Sequence, residues 1–380
     1  MLLELTDDQH DFATAVADFC RKEAGTREQR AKLTDNGRLH HNPDLSAQIA
    51  RLGWPGIRVP EAYGGQGGSH VDMCLLLEGT SYGMLPVAGM GVTLIVGNAV
   101  ARFGSESQKE LLLGSIAAGE SHSISMSEPG AGSDVGALTC RAERTETGWR
   151  INGQKTWCSN AHYASHLLLV ARTSREGGKH EGITMFHVPI PSPGLEVRGI
   201  STLGGTEVND LFFTDCDLPA DAVIGEVGQG WRQLMSGLNT ERLILGGLMM
   251  GLAQRAFDDC LEFVTTREQF GRKVGSFQVL RHRLADLATE IEATRLLVYA
   301  VARAADREPD RVLAREASMV KLKSTEVAKK MAIEGMQMMG GYGYATEFDM
   351  EKHLRSAIIS TVYGGTNEIQ RDIIGKTFGL

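Results

Sequence analysis

The sequence predicts an α+β protein of three successive segments: helical over 1–120, β over 121–230 and helical again over 231–380. Apolar residues recur at helical spacing near both ends of the chain. Between them the period gives way to short β-rich runs punctuated by glycine and proline. No internal repeat or low-complexity tract breaks this order.

The first helix is announced by Thr6-Asp7-Asp8-Gln9, the spacing of a capping box, followed by Phe12, Val16 and Phe19 at helical intervals. A Gly/Pro-rich connection from Gly53 to Gly68 interrupts the helices, and helical patterning resumes through Leu94, Ala99 and Phe103 to end near Gly119. In the middle, Trp149 to Trp157 reads as two short strands around an Asn152-Gly153 hairpin turn. Leu167-Leu168-Leu169-Val170, Ile183 to Val188 and Leu211-Phe212-Phe213 continue as strands up to about Gly230, an antiparallel β domain. From Trp231 helices return. Leu280, Leu284, Leu287, Ile291 and Val298 form an apolar stripe with charges on the other faces.

Composition narrows the function classes. With 380 residues, 42% hydrophobic and 23% charged, the chain is an ordinary globular one of two or three domains. A net charge of −8 argues against a nucleic-acid partner. The longest apolar run, Leu243 to Ala253, is too short to span a membrane. The N-terminal residues lack the pattern of a signal peptide, and the six scattered cysteines include no Cys-x-x-Cys. Reduced, mostly buried thiols and a cytoplasmic location follow as expectations. The eleven histidines carry no His-x-His or His-Glu-x-x-His pattern, so no metal site is expected. His40-His41 reads as a polar loop, and the methionines at 249–250 and 336–339 as core or pocket lining.

Ile124-Ser125-Met126-Ser127-Glu128-Pro129-Gly130-Ala131-Gly132-Ser133-Asp134 crowds small residues, hydroxyls and glycines where helix yields to strand. Such a loop brings backbone N–H groups close to a ligand, although a solvated turn has the same composition. The string from Ser127 to Asp134 resembles the flavin-binding signature of acyl-CoA dehydrogenases, in which threonine usually stands at the first position. Further strings resemble that family in the same order. They are Phe103 to Lys109, Asn152 to Trp157, Arg267 to Gly271 with Phe277-Gln278, Gln337 to Gly341, and Tyr363 to Glu368. The resemblance implies an N-terminal α-helical domain, a middle antiparallel β domain and a C-terminal four-helix bundle, with FAD as cofactor.

It also implies roles. Ile124, Met126, Ser127, Gly132 and Ser133 would approach the flavin, with the Ser127 hydroxyl near N5 and the Met126 and Ser127 backbone at the pyrimidine edge. Trp157 would pack on the isoalloxazine with Ser159 beside it; alone, Trp157 reads as a core residue of the β domain. Arg267, Gln269, Phe270, Phe277 and Gln278 would meet the FAD of a neighbouring subunit, Arg267 at its pyrophosphate; alone, Arg267 reads as a solvated helix residue. Gln337, Gly340 and Gly341 would approach the adenosine half, a use compatible with a helix C-cap. Thr366 and Glu368 complete the cofactor set. Ser133, Asn239, Arg242, Tyr363, Gly364 and Gly365 would line the substrate.

The reaction so implied is α,β-dehydrogenation of an acyl-CoA thioester to the trans-2-enoyl-CoA, with hydride passing to flavin N5. It needs a carboxylate in a dry pocket to take the α-proton, its pKa raised by desolvation. The resemblance gives the hydrogen bonds on the thioester carbonyl to a flavin ribityl hydroxyl and a backbone N–H. In the commoner family pattern the carboxylate is the second residue of Tyr-Glu-Gly-Thr, where this chain has Gly364. Either the chain is catalytically dead or its base comes from elsewhere. Ser236-Gly237-Leu238-Asn239-Thr240-Glu241-Arg242-Leu243 resembles the segment used by isovaleryl-CoA and long-chain acyl-CoA dehydrogenases, in which a helix glutamate precedes an arginine. By that resemblance Glu241 is the base; in an anonymous chain it would read as half of an exposed ion pair. An electron-transferring flavoprotein as electron acceptor and a homotetramer are also implied. A flavin oxidase or monooxygenase on the same fold, and a non-catalytic FAD-binding subunit of a hetero-oligomer, remain open, as does acyl chain length.

Overall fold

A computed structural model describes residues 3–87 and 89–379. Six helices come first: α1 (Asp7–Ala24), α2 (Arg27–Leu33), α3 (Pro43–Arg51), α4 (His70–Tyr82), α5 (Gly89–Phe103) and α6 (Glu106–Ala117). Eight strands follow: β1 (His122–Ser125), β2 (Arg141–Arg144), β3 (Gly148–Ser159), β4 (His166–Arg172), β5 (Ile183–Pro189), β6 (Leu195–Thr202), β7 (Gly205–Pro219) and β8 (Val223–Ile224). Then come α7 (Gly230–Thr266), a small β9 (Glu268–Gln269) and β10 (Arg272–Lys273) hairpin, and α8 (Gln278–Arg307). The chain finishes with α9 (Ala314–Met339), α10 (Gly341–Tyr344), α11 (Met350–Ser360) and α12 (Asn367–Lys376). The helical, β, helical order is the one the sequence predicts. Among the described residues, no helix is long and apolar enough to cross a membrane.

The compact units do not follow the three sequence segments. One comprises residues 1–30, 70–85 and 241–380; the other comprises 31–69 and 86–240. The first unit is helical because α1 and α4 pack with the C-terminal helices. Glu78 of α4 accepts from Arg295 Nε and Tyr299 Oη of α8, each at 2.8 Å. His70 Nδ1 lies 2.7 Å from Asp306, and Arg30 pairs with Asp349. A Cβ at Gly246 would come within 2.7 Å of Val320 and 3.2 Å of Val298, so α7 can approach α8 and α9 this closely only with glycine there. Leu284, Leu287, Ile291 and Val298 of the predicted stripe are buried, and Leu280 is partly so.

The second unit is an eight-stranded sheet in the order β6-β7-β3-β2-β4-β5-β8, with β1 added on β4. It is mixed rather than purely antiparallel: β1 runs parallel to β4, and β2 meets β4 in parallel at Arg141 and Arg172. Both faces of β4 are covered, which explains its unbroken apolar run. Leu167, Leu169 and Ala171 join Trp149, Phe186 and Leu211 on one side. Leu168 joins Val96, Val100, Leu112, Leu113 and Ile116 of α5 and α6 on the other.

The Asn152-Gly153 hairpin is corrected. These residues lie inside one continuous strand, β3, and the turn falls at 145–148 instead, closed by Thr145 N–H to Gly148 O at 2.9 Å. Gly153 has φ 142° at a register shift against β7, so the glycine serves a bulge. Asn152 is held to β7 rather than to a turn, accepting from Asp215 N–H at 2.9 Å. All six cysteines are buried, and none is joined in a disulfide.

Candidate active site

In the sheet unit, the loop after β1 is anchored from inside. Glu128, 5% exposed, pairs with the fully buried Lys155 of β3 at 2.8 Å. It also accepts from Thr139 N–H at 2.6 Å and Cys140 N–H at 2.8 Å. Burial works against the Glu128 charge, but Lys155 and these N–H donors hold its carboxyl below the ordinary range. Lys155 Nζ donates to Met126 O at 2.9 Å and Thr156 N–H donates to Ser127 O at 3.0 Å. Two carbonyls of the loop are thus engaged internally. Glu128 and Lys155 stand inside the quoted strings without a role assigned to them; one acid and one base in strings that resemble the same family were the available signal.

Trp157 sits at a second register shift of β3, with φ 59° and 58% of its surface exposed. It is no core tryptophan; Trp149 is, edge-on to Phe186 at 5.3 Å. Ile124, Ser127 and Ser159 are half-buried, while Gly132 and Ser133 are exposed. An exposed indole on a left-handed backbone, beside a loop rich in N–H groups, fits a flat aromatic cofactor.

In the helical unit, Glu241 is half-buried on α7 and, among the described residues, accepts no hydrogen bond. Burial raises its carboxyl above the ordinary range, against the pull of the cations Arg242 and Lys321. Gly364 has φ 63°, and a Cβ built there would lie 3.6 Å from Glu241 Oε1. The two positions that could supply a carboxylate therefore converge on one point. Leu245 Cδ1 would lie only 2.6 Å from the same Cβ.

Lys321 is fully buried, its ammonium donating to Asn367 Oδ1 at 2.9 Å, and burial pulls its pKa down to about 8. Gln370 Nε2 donates to Gly364 O at 3.1 Å and Gly365 O at 3.0 Å, fixing the turn before α12. The sequence reading missed these three residues. For Lys321 the signal was a lysine on the same helical stripe as Ala317, Ser324 and Ala328. Arg242 is 3% exposed, and its Nη1 donates to Ala314 O at 3.3 Å. A guanidinium so enclosed is suited to tuning Glu241 rather than to contacting the outer part of a CoA. Asn239 is half-buried; Tyr363 is exposed.

The remaining cofactor candidates lie on the same unit's surface. Arg267, Gln269 and Gln278 are exposed, Phe277 is partly buried, and Phe270 is 93% exposed at the hairpin tip with φ 53°. Arg267 lies over Tyr342 at 5.1 Å. Gly340 caps α9 with φ 62°, so the C-cap reading of that string is correct. Gln337 and Gly341 are exposed. Thr366 caps α12, its hydroxyl accepting from Ile369 N–H at 3.3 Å, and Glu368 points into solvent.

Comparison with known proteins decides the family. Models of the acyl-CoA dehydrogenase N-terminal, middle and C-terminal domains match residues 6–120, 123–216 and 228–379. Isovaleryl-CoA dehydrogenase, mitochondrial, of Oryza sativa subsp. japonica is 37% identical over 97% of this chain and 91% of its own. The chain belongs to the acyl-CoA dehydrogenase family. The solved butyryl-CoA dehydrogenase from Megasphaera elsdenii superposes with a TM-score of 0.92 at 29% identity, covering 100% of both chains. A prolyl acyl carrier protein oxidase superposes with a TM-score of 0.92 at 28% identity, covering 99% of this chain and 100% of that one. This acyl-CoA dehydrogenase is thus an oxidoreductase, and its cofactor is FAD. Trp157 and the loop anchored by Glu128 and Lys155 are the residues suited to hold the flavin.

Proposed function

We propose that the enzyme dehydrogenates a short, branched acyl-CoA thioester at its α,β bond, with Glu241 as the base. The observation that carries this is the 3.6 Å between Glu241 Oε1 and the Cβ position of residue 364, where the commoner family arrangement has its carboxylate. Desolvation raises the Glu241 pKa and so strengthens it as a proton acceptor. The cations Arg242 and Lys321 oppose that rise and so favour the ionised carboxylate. Bound FAD supplies the hydride acceptor for the β-hydrogen. Ser127 and the neighbouring N–H groups orient that cofactor, and Trp157 covers its ring.

The branched substrate is supported by the name of the rice relative and by the lack of a side chain at Gly364. An electron-transferring flavoprotein is the electron acceptor that the family resemblance implies. A homotetramer is what the family resemblance implies, and the 93% exposed Phe270 beside Arg267, Gln269 and Gln278 would then meet a neighbouring subunit. The oxidase reading has one observation in its favour, the superposition on a prolyl acyl carrier protein oxidase. Anaerobic addition of isovaleryl-CoA to the purified FAD enzyme tests the proposal: the flavin absorbance should bleach, and butyryl-CoA should bleach it more slowly. In air, substrate-dependent oxygen consumption at the rate of flavin reduction would favour the oxidase. Failure of any acyl-CoA to bleach the flavin would leave the non-catalytic subunit as the better account.

A further inference from the structure

A cluster in the sheet unit, formed by residues to which the family strings assign nothing, has the geometry of a metal site. Strand alternation puts Glu120 and His122 on one face of the chain entering β1. The parallel register of β1 on β4 sets His166 directly beside His122. One ligand atom from each of Glu120, His122 and His166 lies within 4.8 Å of the others.

Hydrogen bonding fixes which nitrogens are available. Ser115 Oγ lies 3.0 Å from Leu112 O and 2.8 Å from His122 Nε2; when its proton goes to the carbonyl, the hydroxyl accepts from Nε2–H. In the neutral ring the lone pair is then on Nδ1, which has no partner among the described residues although His122 is 0% exposed. A buried acceptor without a donor is costly. On the other histidine, Nδ1 faces His187 Nε2 at 2.8 Å, and Nε2 faces Glu120 Oε2 at 3.7 Å. Each ring therefore has one nitrogen beside an outer partner, Ser115 for His122 and His187 for His166, the kind of contact that orients metal-bound histidines.

We propose that His122 Nδ1, His166 Nε2 and the Glu120 carboxylate bind one divalent transition-metal ion of the Zn2+ class. Two imidazoles and a carboxylate suit Zn2+ and disfavour Mg2+ and Ca2+, which prefer oxygen donors. Metal–ligand bonds of about 2.1 Å in a tetrahedron put ligand atoms about 3.4 Å apart, so the cluster must contract slightly. Glu120 can adjust towards the ion, because its side chain keeps 49% of its exposure and accepts a 2.6 Å hydrogen bond from Ser165. Glu120 and Ser165 also line a cleft of about 300 Å³ with His41 and Tyr163, which gives an ion and a fourth, water ligand a way in. Bound there, the ion would pin the α6–β1 connection to β4.

The test uses the FAD-bound enzyme, freed of metal with a chelator and titrated with ZnCl2 by calorimetry, with thermal unfolding read in parallel. One saturable Zn2+ per chain and a raised unfolding temperature are expected. Glu120→Gln, a change at a half-exposed carboxylate, should keep the metal-free unfolding temperature while weakening binding by about tenfold or more, since outer-shell partners alone are worth that much. His166→Gln should abolish it. No saturable binding by the parent enzyme, or unchanged affinity in either variant, would overturn the proposal.

Discussion

Gly364→Ala isolates the point where the two possible base positions meet. The residue has φ 63°, a conformation that costs a residue with a Cβ about 1–2 kcal/mol. The new methyl would also stand 2.6 Å from Leu245 Cδ1, and overpacking of this kind adds about 1–3 kcal/mol. Together Gly364→Ala should destabilise the FAD-bound enzyme by about 2–5 kcal/mol in urea unfolding. Leu245 is 7% exposed, so Leu245→Ala alone should cost about 2–5 kcal/mol. In that background the clash is gone, and Gly364→Ala should cost only the backbone share of about 1–2 kcal/mol. The same contact limits relocation of the base. Exchanging Glu241→Gly with Gly364→Glu should restore little flavin reduction until Leu245→Ala makes room. Equal costs of Gly364→Ala in both backgrounds, or full recovery by the exchange without the Leu245 change, would refute this geometry.

Four further outcomes follow. Glu241 must be ionised to accept a proton, so the rate of flavin reduction should fall on the acid side at a pH above the ordinary carboxyl value of 4.5, and Lys321→Met, which removes a neighbouring cation, should move that limb higher. Because the Glu241 pKa is raised on folding, its stabilising contribution is present below 4.5 and lost as pH rises through the folded value; Glu241→Gln should therefore be more stable than the parent at neutral pH, an advantage that vanishes in acid. Trp157→Gly should relieve about 1 kcal/mol of left-handed backbone cost while weakening FAD binding about tenfold, measured as a fall in flavin affinity without loss of apoprotein stability. Lys155→Met leaves Glu128 buried and unpaired, and should cost about 3–5 kcal/mol in unfolding and release flavin on gel filtration.

The sequence was most legible where local chemistry decides structure. Thr6 and Gln9 form the capping box their spacing predicts, with both reciprocal bonds made. Leu167 to Val170 is a strand buried on both faces, as an unbroken apolar run allows. Legibility failed where a distant partner decides. Asn152-Gly153 has the composition of a tight turn, but pairing with β7 absorbs the glycine into a bulge. The parallel seating of β1 on β4 and the packing of α1 and α4 with the C-terminal helices depend on contacts that no local pattern records.

The site divides in the same way. Glu241 could be singled out as a candidate because Gly364 leaves the usual position without a carboxylate and a second string offers another. Lys321, Asn367 and Gln370 act through burial and hydrogen bonding across helices, which spacing does not reveal. The Glu120, His122 and His166 cluster escaped motif reading because strand register, not sequence proximity, brings its members together.

The central claim, that Glu241 takes the α-proton, is tested most directly by anaerobic stopped-flow reduction of Glu241→Gln. Glutamine keeps the shape of the side chain and removes the acceptor, so FAD content and acyl-CoA binding should match the parent enzyme. A positioned base contributes about 10²–10⁴-fold, and flavin bleaching by an accepted acyl-CoA should slow by that factor. Reduction of the Glu241→Gln flavin at the parent rate, on the same substrate, would contradict the account.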